Sequence, residues 1–228
     1  LDLLRREGYR EDCYIRPLGY KAEEGIGVRL HNVRDELTIF STAFGRYLQA
    51  EEGAKVCFSS WRRVDDNMIP ARGKVSGSYV NSALIKSEAV LNGFDEALVL
   101  TQDGHVSEGS AENVFMVRDG VLITPPVHTN VLEGITRRTL MEALAAAGYP
   151  VVERPLREDE ALSGRFGLMV SSTSNKALPV RSLLRPSGPP LSLPLPAFFK
   201  DVRRSYDEYL RSYANSRLLP SPGVHSSR

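Results

Sequence analysis

Several residue types that mark whole classes of protein are scarce in this chain. It has two cysteines, Cys13 and Cys57, in 228 residues, too few for a disulfide framework or a cysteine-built zinc site. A reducing, cytoplasmic setting is the resulting expectation. Of its four histidines, His105 and His128 stand alone in polar turns, without metal-ligand spacing or a serine-triad context, and both read as surface residues. No apolar run is long enough to span a bilayer, and the opening twelve residues, LDLLRREGYRED, are too charged for a signal peptide. Nor does one sign of charge dominate. The 29 Lys and Arg face 28 Asp and Glu, a net charge of +1 that leaves no electrostatic footprint for nucleic acid.

What is present is ordinary for a folded protein. Hydrophobic residues make up 42% and charged residues 25%, which excludes disorder over most of the chain. The length suits one large domain or two small ones. Leu3, Leu4 and the run Arg5-Arg6-Glu7-Gly8 read as the end of a helix, so upstream sequence is expected before Leu1. Short β-rich runs follow at Tyr14–Leu18 and Glu36–Phe40. Residues 1–48 then form the remainder of a small lobe, 49–54 a polar linker, and 55–185 a large domain.

Within the large domain, Val56–Trp61 opens a strand. Val80, Leu84, Ser87 and Leu91 fall on one face of a helix that Asn92-Gly93 ends. Ala97–Leu100 is a buried strand, and Val114–Val117 with Val121–Ile123 flank Asp119-Gly120 as a hairpin. Thr136–Ala147 is a second helix with Leu140, Met141 and Leu144 inward. Strands at Val151-Val152 and Leu168–Val170 follow. Residues 186–228 divide into a stiff proline-rich connection, a surface helix from Ala197 to Tyr213, and a disordered tail. Trp61, Phe44 and Tyr47 read as core aromatics unless they line a pocket between the lobes.

Four features could carry chemistry. The chain has only six lysines, Lys21, Lys55, Lys74, Lys86, Lys176 and Lys200, and Lys74 sits among small residues that would let a bulky group approach. A partly desolvated lysine there can form a Schiff base, although a solvated loop lysine fits the spacing as well. Gly134-Ile135-Thr136 enters a helix, where free N–H groups favour a phosphate, while Thr136 as a plain N-cap is the simpler reading. Ser107–Asn113 places Glu108 and Glu112 in a small-residue turn, where a carboxylate could face a cationic ring or be only a polar turn. Tyr14 and Arg16 share one strand face, a receptor for a carboxylate or an exposed edge charge.

These pieces fall in an order that resembles the class IV (fold type IV) pyridoxal-phosphate aminotransferases, most closely the branched-chain amino-acid aminotransferases. The resemblance runs from Asp12 to Val180. It rests on Tyr-Ile-Arg-Pro-Leu at 14–18, Ser-Ser-Trp at 59–61, and Lys74 five residues before Tyr79. It continues through Glu-Gly-Ser-Ala-Glu-Asn at 108–113, Thr-Pro-Pro at 124–126, Gly-Ile-Thr-Arg at 134–137, and Ser-Ser-Thr at 171–173 with Pro179-Val180. The implied fold is a two-lobed α+β enzyme whose family N-terminal lobe begins upstream of Leu1. The implied cofactor is pyridoxal 5'-phosphate, with Lys74 as Schiff-base lysine and proton shuttle and Glu108 on the pyridinium nitrogen. Tyr79 would bond the phenolic oxygen, Leu132 would pack on the ring, and Ile135, Thr136 and Thr173 would hold the phosphate. Tyr14 and Arg16 would meet the distal carboxylate of glutamate, Thr173 and Ser174 the α-carboxylate, and Phe44 and Tyr47 the side chain.

The implied reaction is transfer of an amino group from leucine, isoleucine or valine to 2-oxoglutarate by a homodimer. Alternatives of the same fold are a lyase like aminodeoxychorismate lyase and a D-amino-acid aminotransferase; a third is a truncated cofactor-binding protein without turnover. One departure stands out. The family has a Gly-Thr pair before the Pro-Val, where this chain has Ser172-Thr173-Ser174-Asn175-Lys176.

Overall fold

The computed structural model describes residues 2–44, 52–184, 189–195 and 197–217. The expectations for Tyr47, for residues 49–51, for 186–188 and for the tail from 218 on lie outside these residues. The chain divides into two compact units, Leu1–Tyr47 and Leu48–Arg228.

In the first unit, helix α1 (Asp2–Glu7) stops at Gly8, whose φ of 69° suits a helix C-terminus. Strands β1 (Cys13–Lys21) and β2 (Asp35–Ala43) then form an antiparallel ribbon, from Cys13 opposite Ala43 to Lys21 opposite Asp35. The first strand therefore runs on past Pro17. A two-stranded ribbon allows this, because each strand has an open edge on which no N–H is required.

The second unit comprises β3 (Ala54–Arg62), a 3-10 turn (Ser76–Ser78) leading into α2 (Tyr79–Leu91), β4 (Glu96–Leu100) and β5 (His105–Gly109). The hairpin β6 (Asn113–Arg118) and β7 (Val121–Thr124) precedes α3 (Ile135–Ala146), β8 (Val151–Glu153), β9 (Leu156–Arg157) and α4 (Glu158–Ala161). The chain then forms β10 (Gly167–Ser171), β11 (Leu178–Leu184), β12 (Leu191–Ser192) and α5 (Phe198–Arg217). One sheet joins the strands in the order β8-β7-β6-β10-β11-β3-β4-β5-β9, with β12 beside β11. The β11–β3, β3–β4 and β7–β8 pairs are parallel and the other pairs antiparallel.

Both faces of this sheet are covered, so its strands are continuous apolar runs rather than alternating ones. Alternation still decides where each side chain goes. Leu98, Val114, Met116, Leu168 and Val170 point into one cluster. Phe115, Val117 and Met169 point the other way, under α3 and α5, where they meet Leu140, Leu144 and Phe199. Ala97 and Val99 meet Ile85 and Ala89 of α2.

Several expectations are corrected here. Ala54 is the fully buried first residue of β3, not the end of a linker. Leu191-Ser192, within the proline-rich stretch, pairs with β11. The C-terminal helix buries Phe199, Val202 and Tyr206, so it is part of the core as well as surface. Trp61 is 44% exposed rather than core. On α2 the apolar stripe lies outward: Val80 and Leu91 are 65% and 85% exposed, while Ser82, Ile85 and Ala89 face the sheet. Small residues let the helix sit close to β3 and β4, and the larger side chains are left over. Ile85→Ala is accordingly expected to cost about 2–5 kcal/mol, and Leu91→Ala no more than about 0.5 kcal/mol, in urea denaturation.

Candidate active site

Glu108 lies within β5, where a polar turn was expected, and is 5% exposed. Its Oε1 pairs with Arg63 Nη2 at 2.7 Å, both side chains being only 6% exposed. Its Oε2 accepts the Leu132 N–H at 3.1 Å and the Asn113 side-chain amide at 3.4 Å. Burial pushes the Glu108 carboxyl up to about 7, against the opposing pull of Arg63, the Leu132 amide and the charge of Lys74.

The same contacts tie together the loops around it. Arg63 Nε donates to the carbonyl of Asn130, and Asn130 Oδ1 accepts the Asp66 N–H, both at 3.2 Å. Asp66 in turn accepts the Ala71 N–H at 2.9 Å, three residues before Lys74. Asn130 takes a φ of 59°, which asparagine adopts more readily than most residues. Behind this, Glu88 of α2 accepts from Ser60 N–H at 3.0 Å and from the hydroxyls of Ser59 and Ser60. The Ser-Ser pair of β3 thus sets the position of the helix that Tyr79 begins.

An open cleft of about 360 Å³ lies over Glu108, lined among others by Arg63, Gly73, Tyr79, Ser110, Glu112 and Leu132. Lys74 is exposed beside it, its Nζ 5.5 Å from the centre of the Tyr79 ring. The Ser110 hydroxyl is buried and has no partner among the described residues. Lys74, Tyr79, Glu108 and Leu132 are therefore brought together at one cleft and its rim.

Ile135 and Thr136 form the first turn of α3, with Ile135 exposed and Thr136 buried. The N-cap is Gly134 rather than Thr136, and no side chain caps the helix, so its leading N–H groups lack a side-chain acceptor. Gly134 is pressed so closely on Asn113 that a Cβ there would fall well inside van der Waals contact with Asn113 Oδ1. Thr173 is exposed and Ser174 half-buried, in the loop between β10 and β11. In the first unit, Arg16 Nε and Nη2 donate to the Tyr14 hydroxyl at 3.0 and 2.8 Å, and the Tyr14 and Phe44 rings lie 5.4 Å apart.

One member of this constellation escaped sequence reasoning. Arg63 follows the Ser-Ser-Trp run and looks like any polar-loop arginine; only the unpaired charge of a buried Glu108 could have pointed to it. Glu112 is 3% exposed and, like Glu108, has its carboxyl pushed up to about 7, first by burial and then by the charge of Glu96. Among the described residues there is no helix long and apolar enough to cross a membrane.

The arrangement is that of a known family. The family model described as Amino-transferase class IV matches residues 1–183, and the chain belongs to that family. Within it, the relatives are branched-chain enzymes. A protein of Aquifex aeolicus (strain VF5), "Probable branched-chain-amino-acid aminotransferase", is 44% identical over 160 residues, covering 70% of this chain and 51% of its own. The branched-chain aminotransferase of Thermoproteus uzoniensis, solved with norvaline, superposes with a TM-score of 0.85 at 32% identity, over 94% of this chain and 71% of that one. The enzyme of Thermobaculum terrenum in its PLP form gives a TM-score of 0.80 at 32% identity, over 94% and 68%. The chain spans 51% to 60% of the length of the curated relatives it matches.

Two measurements test the electrostatics. Arg63→Ala leaves the Glu108 charge buried without its cation, and chemical denaturation at pH 8 is expected to show a loss of about 3–5 kcal/mol. Glu112 holds its proton up to about pH 7 in the folded chain but releases it near 4.5 when unfolded. Its contribution is full below pH 4.5 and is lost as pH rises through 7, because the native state binds the extra proton in that window. Between pH 4.5 and 7.5, Glu112→Gln should therefore lose less stability than the wild type, by up to about 3 kcal/mol.

Proposed function

We propose that the protein is a pyridoxal-phosphate-dependent branched-chain amino-acid aminotransferase, moving the amino group of L-leucine, isoleucine or valine to 2-oxoglutarate. The observation that carries this is the buried Glu108–Arg63 pair at the floor of a cleft whose rim holds Lys74 and Tyr79. These residues fit the cofactor. A buried carboxylate suits a protonated ring nitrogen, the unmatched Ser110 hydroxyl awaits a polar partner, and the uncapped start of α3 suits a phosphate dianion. When bound, pyridoxal phosphate supplies an electron sink conjugated to the amine it carries.

The protein's part is to hold groups and move protons. Glu108, charged above about pH 7, holds a proton on the ring nitrogen, and Arg63 keeps that carboxylate oriented. Tyr79 would donate its hydroxyl to the phenolic oxygen of the bound cofactor, and Leu132 would pack on its ring. The N–H groups of Ile135 and Thr136 and the side chain of Thr173 would hold the phosphate. Lys74 Nζ takes the proton from the amino-acid Cα and returns a proton in the second half-reaction. Tyr14 and Arg16 receive a substrate carboxylate, with Arg16 already aligned on the Tyr14 hydroxyl. Thr173 and Ser174 would hold the α-carboxylate, and Phe44 would meet the substrate side chain; Tyr47 lies outside the described residues. Lodging in the cytoplasm is supported by two free cysteines, and pairing of two copies by the apolar stripe that α2 leaves exposed.

Reduction with borohydride after incubation with pyridoxal phosphate should fix a pyridoxyl group on Lys74, found by peptide mapping, and Lys74→Ala should abolish it. Label on Lys86 or Lys176 alone would overturn the assignment. In an assay of glutamate formed from leucine, Arg16→Ala should cut kcat/KM for 2-oxoglutarate about 10- to 100-fold while sparing that for leucine. Equal losses for both substrates would leave Arg16 a support of the fold.

A further inference from the structure

Glu112 takes no part in the chemistry just proposed, yet it is among the most buried charged groups at the cleft. It closes the turn between β5 and β6, its carbonyl accepting the Gly109 N–H at 2.6 Å, and the hydrogen bonds of its carboxylate among the described residues fall on one oxygen. Oε1 accepts from the side-chain amide of Asn175 and from the Ser172 hydroxyl, the latter at 3.3 Å. Oε2 is buried with no partner among the described residues.

Both donors belong to the loop that joins β10 to β11. Inside that loop, the Asn175 N–H donates to Ser172 Oγ at 3.3 Å and the Lys176 N–H to the Ser172 carbonyl at 2.8 Å. Lys176 completes the turn with a φ of 54°, and its ammonium pairs with Asp207 of α5 at 2.8 Å. Thr173 and Ser174 are thus bracketed by the two residues that Glu112 grips.

We propose that Glu112 is a positioning residue: through Ser172 and Asn175 it fixes the 172–176 loop, so that the loop's hold on the cofactor phosphate depends on Glu112 although Glu112 touches no phosphate. The inference rests on the cofactor reading above. A carboxylate near an anion site would ordinarily repel the anion. Here its burial and the neighbouring charge of Glu96 on β4 favour the neutral form up to about pH 7, while Lys86 of α2 opposes this and is itself paired with Glu96 at 3.1 Å.

The test compares wild type, Glu112→Ala, Glu112→Gln, Asn175→Ala and the double alanine variant. Each is titrated with pyridoxal phosphate and with pyridoxal, which lacks the phosphate. Glu112→Ala should weaken pyridoxal phosphate about tenfold and leave pyridoxal within about twofold. Asn175→Ala, which removes one of the two donors to Glu112, should weaken pyridoxal phosphate by a smaller factor, and the double variant should be no worse than Glu112→Ala. Glu112→Gln, which keeps an accepting oxygen, should stay within about threefold of wild type. Equal losses for pyridoxal and its phosphate, multiplying losses in the double variant, or no loss at all would overturn the proposal.

Amide hydrogen exchange across residues 172–176, without ligand, should be about tenfold faster in Glu112→Ala, and unchanged exchange would overturn the anchoring role by itself. Failure of the cofactor reading shows separately. Wild type would then take up no pyridoxal phosphate, and the exchange data alone would carry or overturn the anchor.

Discussion

The charge pair between Arg63 and Glu108 is the constraint on which the second unit's cleft depends. Two ions taken out of water at this depth are tolerable only with further hydrogen bonds, and here Arg63 Nε and Glu108 Oε2 each find a backbone partner. Glu108 therefore recruits the Leu132 amide and the Asn113 side chain, and Arg63 recruits the Asn130 carbonyl. The loop before α3 and the loop before Lys74 are both held by the partners of a single carboxylate. Hydrogen bonding that the sheet cannot supply is drawn from loops, and this gives irregular segments a fixed shape next to a rigid strand.

The sheet makes that demand possible. With clusters packed on both faces, β5 is buried at four of its five positions, so any polar side chain on it must find its partners within the protein. Glu96 on the neighbouring β4 obeys the same rule. It is fully buried, paired with Lys86, and accepts the N–H groups of Ala97 and Ser110. Three buried carboxylates, Glu96, Glu108 and Glu112, lie within two adjacent strands and the turn that follows them, and each is answered by a different set of donors.

The sequence announced the elements better than their faces. The hairpin at Asp119-Gly120, the helix from residue 135 and the strand at 97–100 follow from turn chemistry and apolar runs, which act locally. The stripe on α2 misled because periodicity shows that a helix has an apolar side, not that this side faces its own core. The cap falls on Gly134 because the helix starts one residue earlier than expected, at Ile135, which leaves Thr136 inside the first turn; a Cβ at 134 would crowd Asn113 Oδ1. The family motifs placed Lys74, Tyr79, Glu108 and Leu132 at one cleft because they are spaced by the fold. Arg63 and Asn175 were invisible because their value lies in partners 45 and 63 residues away along the chain.

The contact between Gly134 and Asn113 joins two ends of the cleft that could have been separate. Asn113 also donates to Glu108 and to the Leu132 carbonyl, so the start of α3 and the buried carboxylate share one side chain. Neither can drift without the other. In the divergence of such a protein, a substitution that retunes the grip of the helix end would also retune the carboxylate, and the two would have to change in concert. An asparagine backed by a glycine thus couples two parts of the site that lie far apart along the chain.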